Sequence, residues 1–181
     1  MVEDFGDLVD RVREHYLEQF RDFVETQKGS CTVGVAEVKL GGLDGQSGFY
    51  RNVYCFDFAS NDGQLKLIEF GPDRYLSFDP FVARYERLIL QVENLRWDDV
   101  VMDHDLEDLP AGAVETWFDR WYGPDDQKTN VIHSLVMKPR YISVDLSTAP
   151  SDALFEMIDL LEKSGVTSLQ MRSGRARFSA H

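Results

Sequence analysis

Apolar residues recur at three- and four-residue spacing through Phe5, Leu8, Val9, Val12, Tyr16, Phe20, Phe23 and Val24, the period of one helix face. The opposite face carries Arg11, Glu14, Glu18, Arg21 and Glu25, a mixed-charge pattern that suits water. Asp4 or Asp7 can cap this helix and Gly29 can end it. The period then changes to two. Strands are expected over Thr32 to Leu40, Tyr50 to Ala59 and Gln64 to Phe70, the last two joined by the turn Asn61-Asp62-Gly63. In the middle strand Tyr50, Asn52, Tyr54, Phe56 and Phe58 should share a face. From Asp79 onward the pattern is ambiguous. Asp79-Pro80 suits a helix start, whereas Arg87 to Val92 suits a strand.

Val114, Trp117, Phe118 and Trp121 mark a short helix that should stop at Gly123-Pro124. Val131 to Met137 and Tyr141 to Leu146 read as strands around a Lys138-Pro139-Arg140 turn. The stretch from Asp145 to Met171 reads as strand, helix, strand. Its helix carries Leu154, Met157, Ile158 and Leu161, with Ser151 as cap and Gly165 as stop. If the flanking strands run parallel in one sheet, the crossover between them should be right-handed. The expected fold is therefore α+β: a mostly antiparallel sheet packed by the N-terminal helix and two further helices, with a C-terminal strand-helix-strand unit. The expectation is one domain over residues 1–181, with a polar, basic, frayed tail over residues 172–181.

Charge changes this picture at one place. The 181 residues carry a net charge of −13. Ten acidic residues lie between Asp98 and Asp126 against one basic residue, Arg120, and all three tryptophans, Trp97, Trp117 and Trp121, sit in or beside that segment. Such a segment suits a basic protein surface, because charge steers approach and large rings anchor contact. At helical spacing, Trp117 and Trp121 are more often core than contact surface, and their acidic setting keeps the contact reading open. The same acidity disfavours nucleic acid, whose phosphates it repels. No run of about 18 apolar residues is present to cross a bilayer, and the first ten residues hold four acids and no Lys or Arg, unlike a secretory signal. A cytoplasmic protein is expected. Cys31 and Cys55 lack C-x-x-C spacing and suit reduced, buried thiols.

Motifs for chemistry are sparse. The run Gly41 to Gly48 lacks the Lys-Ser/Thr pair of a phosphate loop, and Ser47 within it lacks the G-x-S-x-G setting of a nucleophile. Asp103, Asp105 and Glu107 alternate as in a hard-cation loop, but Asp108 replaces the sixth-position glycine and Val114 the bidentate acid. No histidine pair has zinc-ligand spacing. Folding should therefore need neither metal nor cofactor. His133, His104 and Asp145 remain as the polar residues with which an enzyme or ligand-binding domain would work.

The run Leu95-Arg96-Trp97-Asp98-Asp99-Val100, the Trp-bearing helix, then Ile132-His133-Ser134-Leu135 and Ile142 to Pro150 before an amphipathic helix resembles bacterial immunity proteins of polymorphic or contact-dependent toxin systems. That resemblance covers about residues 85–170 and implies neutralisation of a toxin by binding, with no catalytic residues. The expected function is thus a non-catalytic binding protein with a basic protein partner, such as a toxin domain, and no nucleic acid or membrane partner. The expected partner-binding residues are Trp97, Asp98, Asp99, Asp103, Asp105, Glu107, Asp108, Glu115, Asp119 and Trp121. A small-molecule enzyme or ligand-binding domain is the alternative.

Overall fold

A computed structural model describes residues 4–27, 31–33, 37–38, 48–52, 57–60, 67–122 and 132–174. The first helix, α1 (Phe5–Gln27), buries Phe5, Leu8, Val9, Val12, Tyr16 and Leu17. Asp4 caps it, its Oδ1 accepting the Gly6 N–H at 2.7 Å. Tyr16, Phe20 and Phe23 gather round Phe70 at ring separations of 5.4, 5.4 and 5.1 Å. Beside this cluster Gln19 exchanges two hydrogen bonds with the Arg74 backbone, at 2.8 and 3.1 Å. The extended segment after Phe70 is thereby tied to the helix.

Among the described residues, β1 (Cys31–Val33), β4 (Asp57–Ser60) and β5 (Leu67–Glu69) form a three-stranded sheet in the order β1-β4-β5. A larger sheet has eight strands: β2 (Glu37–Val38), β3 (Gly48–Asn52), β6 (Phe81–Tyr85), β7 (Leu88–Val92), β8 (Val100–His104), β9 (Ser134–Lys138), β10 (Tyr141–Asp145) and β11 (Ser168–Arg172). Their order is β2-β3-β9-β10-β8-β11-β7-β6. Only β11 against β7 is parallel; the other pairs are antiparallel.

Two of the expected strands are therefore each divided between sheets. Thr32 to Leu40 supplies β1 and β2, and Tyr50 to Ala59 supplies β3 and β4. Tyr50 and Phe58 consequently do not share a face of one sheet, because the period of two holds only along one strand. Tyr54 and Phe56, the Asn61-Asp62-Gly63 turn, Gly29 and Gly123-Pro124 lie outside the described residues. The β4–β5 register, Ala59↔Leu67 and Asp57↔Glu69, is nonetheless that of antiparallel neighbours flanking that turn. The ambiguous stretch after Asp79 is a hairpin. Strands β6 and β7 close through Glu86-Arg87, with Glu86 at φ 52°. Hairpin turns of two residues call for such a left-handed position.

Register assigns the two faces of the large sheet. Leu135, Met137, Ile142, Val144, Val100, Met102, Leu169, Met171, Leu90 and Val92 face one another across strands and are all buried. They join α1, α2 (Ala111–Tyr122) and α3 (Ser151–Lys163) in one apolar core. Each such side chain contributes on the order of 1.5–3 kcal/mol. Helix α2 packs on α3 through Trp117, whose Nε1–H donates to the Ala153 carbonyl at 2.9 Å, and Trp121, whose Nε1–H donates to Glu156 at 2.8 Å.

Ser151 does not cap α3. Pro150 occupies the cap position, and the Ser151 hydroxyl donates instead to Asp10 of α1 at 2.6 Å. Gly165, at φ 103°, ends α3 as expected. The tail expected to fray from Arg172 is anchored at its start: Arg172 and Ser173 are 7% and 2% exposed. They are held because Arg172 closes β11 and ion-pairs across the sheet. Residues 175–181 lie outside the described set.

Candidate functional site

The acidic segment begins inside the protein. Trp97 is 1% exposed, and the backbone beside it is fixed by the Arg96↔Asp99 bridge and by its own carbonyl, which accepts the Leu146 N–H at 3.1 Å. Asp98 and Asp99 are 5% and 9% exposed, and Asp99 accepts a hydrogen bond from Ser173 at 3.1 Å. Trp121 is 6% exposed. Both tryptophans of the expected contact set thus belong to the core, and with Asp98 and Asp99 they offer no open surface in this conformation.

Within β8 the pleat separates neighbours. Asp103 lies on the face away from the core, where its Oδ2 accepts from Arg172 Nε at 2.8 Å. His104 turns the other way, opposite Leu169, and is 6% exposed. Its Nδ1 accepts the Leu106 N–H at 3.2 Å. The neutral ring with its proton on Nε2 meets that requirement. Burial, the largest cause, holds the His104 pKa below the ordinary 6.5, against the opposing pull of Asp105 and Asp103.

Beyond β8, Asp105 is exposed and accepts from the Thr167 hydroxyl at 2.6 Å and the Thr167 N–H at 3.1 Å. Those bonds depress its carboxyl pKa, with the hydroxyl bond the largest cause. Glu107 pairs with Arg140 in the β9–β10 turn. Glu107, Asp108 and Asp119 are exposed, whereas Glu115 is half-buried on α2. Contacts at Asp105, Leu106 and Glu107 therefore tie this loop to Thr167 before β11, to the His104 ring at the end of β8 and to Arg140 in the β9–β10 turn.

The Asp103 and Asp105 carboxylates serve Arg172 and Thr167 respectively, and among the described residues no three His, Cys, Asp or Glu side chains are grouped to hold a metal ion. His133 and Asp145 do meet. Asp145 Oδ2 lies 3.1 Å from His133 Nδ1, and the His133 N–H donates to the Asp145 carbonyl at 3.0 Å. Their side chains are 5% and 16% exposed. His104 is elsewhere, beside the Arg140 carbonyl at the opposite end of β10, so the three residues do not form one site. One hollow beside α1, lined by Tyr16, Gln19, Tyr75 and Trp97 among others, has room for about 10 Å³, at most a single water. A groove of about 200 Å³ lies at the β6–β7 edge, lined by Pro80, Phe81, Val82, Gln91, Val92, Glu93 and Gln170, and holds neither histidine nor nucleophile.

The buried histidine makes stability depend on pH. The unfolded chain binds a proton near the ordinary 6.5, whereas folded His104 resists it. His104's contribution is complete above that pH and is lost as pH falls toward the lower folded value. Asp105, depressed below 3.8, loses its contribution in a second, more acid window. Thermal melts across pH should show both declines, and His104→Leu should retain only the lower one. An unchanged upper decline in that variant would assign it to another group.

No known family model matches this chain, and neither a curated protein nor a solved structure matches it.

Proposed function

We propose that this protein is a non-catalytic acidic binding protein that neutralises a basic protein partner, in the manner of an immunity or inhibitor protein. The observation that carries this reading is the anchored loop after β8. Thr167 holds the Asp105 carboxylate, the His104 ring the Leu106 N–H and Arg140 the Glu107 carboxylate, while Glu107, Asp108 and Asp119 of α2 reach solvent. A fixed array of carboxylates on a chain of net charge −13 attracts a basic surface before contact and loses little order on binding. The core position of Trp97 and Trp121 moves the recognition away from aromatic anchors and onto charge. No described helix is long and apolar enough to cross a membrane, in keeping with a protein partner.

The test begins with capture from the native cell and elution along a salt gradient. The double variant Asp108→Asn, Asp119→Asn leaves the Arg172, Thr167 and Arg140 contacts intact. It should slow association about tenfold or more at low salt and flatten its salt dependence. An association rate equal to that of the parent at every salt concentration would reject the reading.

The His133–Asp145 contact favours one other reading, a small-molecule enzyme in which the carboxylate orients the imidazole. An activity lost in Asp145→Asn with the fold intact would mark that function instead.

A further inference from the structure

The loop after β8 is closed over one buried ring. His104 sits on the face of the sheet that holds the core, opposite Leu169 of β11. Its Nδ1 accepts the Leu106 N–H, which leaves the ring proton on Nε2, and Nε2 is buried with no hydrogen-bond partner among the described residues. A second proton has no place there. On Nδ1 it would point at the Leu106 N–H, donor against donor, and the charged ring would still lack an acceptor at Nε2. Neighbouring charge does not repair this while the loop is closed. Asp105 and Asp103 attract the proton, but burial outweighs them, and they already serve Thr167 and Arg172. From β11 the ring meets Leu169, and the β9–β10 turn offers the Arg140 carbonyl to the His104 backbone N–H, with the Arg140 guanidinium drawn off to Glu107. Helices α2 and α3 turn apolar side chains to this core.

We propose that His104 is an acid-sensitive latch: neutral, it holds residues 105–108 closed through the Leu106 N–H, and protonated, it releases them while the strands of the sheet stay paired. The loop is lightly held otherwise. Asp105, Glu107 and Asp108 are exposed and Leu106 is half-buried, and the Glu107–Arg140 pair lies at the surface, where ion pairs contribute little. Leu109, 5% exposed, pins the far end. Opening therefore uncovers the ring at the cost of one half-buried leucine and a few surface contacts, far less than unfolding the core. The direction with pH follows from the two states. The open ring takes a proton near the ordinary 6.5, the closed ring only at lower pH. The opening constant is thus level above 6.5 and rises about tenfold per pH unit below it, down to the lower value of the closed ring. Once open, the imidazolium is favoured by the carboxylates of its own loop. The latch belongs to the chain alone, so its outcome is independent of the proposed function.

Amide hydrogen exchange of the full chain, read by NMR from about pH 7 to about pH 5, tests the latch. With intrinsic exchange divided out, Leu106 protection should be level at the upper end and fall about tenfold per pH unit at the lower. It should not respond to low urea, because a local opening exposes little surface. Met102, in the middle of β8, should stay at least about a hundredfold more protected and weaken with urea. His104→Asn keeps an acceptor for the Leu106 N–H without a titrating group, and should make Leu106 protection independent of pH. A parent chain whose Leu106 protection ignores pH would overturn the inference. So would Leu106 and Met102 losing protection together with one urea dependence, which is global unfolding, or an acid loss that survives in His104→Asn. If His104→Asn does not fold, the pH and urea profiles of the parent decide alone.

Discussion

Trp97→Ala should lose about 3–5 kcal/mol of folding stability, the range for truncating a large buried aromatic. That is a large share of the 5–15 kcal/mol typical of a whole domain. The ring is 1% exposed within the central apolar cluster, and its backbone carbonyl holds Leu146 at the end of β10. Little nearby can collapse into the space. Urea unfolding measures the loss, and a cost below about 1 kcal/mol would place the ring at the surface. Trp97→Phe keeps most of the volume and should retain most of the stability.

Arg172→Ala should be the next most damaging change. The Arg172 side chain is 9% exposed and that of Asp103 35%, joined at 2.8 Å across the β8–β11 ladder. Deleting one member of a fully buried pair costs about 3–5 kcal/mol. Water reaching Asp103 lowers that to about 2–3 kcal/mol here. Removing both charges by Asp103→Leu with Arg172→Met should recover most of the loss, because neither charge is left without its counterpart. Guanidinium melts of the two single variants and the double complete the cycle. Additive losses in the double variant would show that the two side chains act independently.

The helices were legible because their apolar period persists for several turns. Residues Phe5 to Phe23, Val114 to Trp121 and Leu154 to Leu161 lie where that period puts them. The antiparallel, helix-backed sheet also follows from alternation and turn residues. The split of Tyr50 to Ala59 between two sheets was not legible, since nothing local marks where a strand changes partners. The acidic segment shows the same limit more sharply. Asp98 and Asp99 have the composition of a surface patch, yet they are buried where the chain turns into β8, with Ser173 bonded to Asp99. Asp103 and Asp105 find Arg172 and Thr167 only because β11 lies beside β8. His133 and Asp145 meet through a hairpin register that aligns Ser134 with Asp145. Sequence spacing carries none of those distances.

The place of β11 between β8 and β7 governs the order in which this fold can close. Every strand from β2 to β10 is made before β11, yet among the described residues the β6–β7 hairpin has no other strand neighbour in the large sheet. While the chain is being synthesised, the β8–β10–β9 ladder can form and the β6–β7 hairpin can form, but as two separate pieces. They join only when Ser168 to Arg172 enters between them, pairing Leu169 with both Leu90 and His104. That step closes a long chain loop to the hairpin and is expected to be slow relative to either local pairing. Until then the apolar edges of β8 and β7 stay open, and a ribosome stalled before residue 168 would hold a chain in that exposed state.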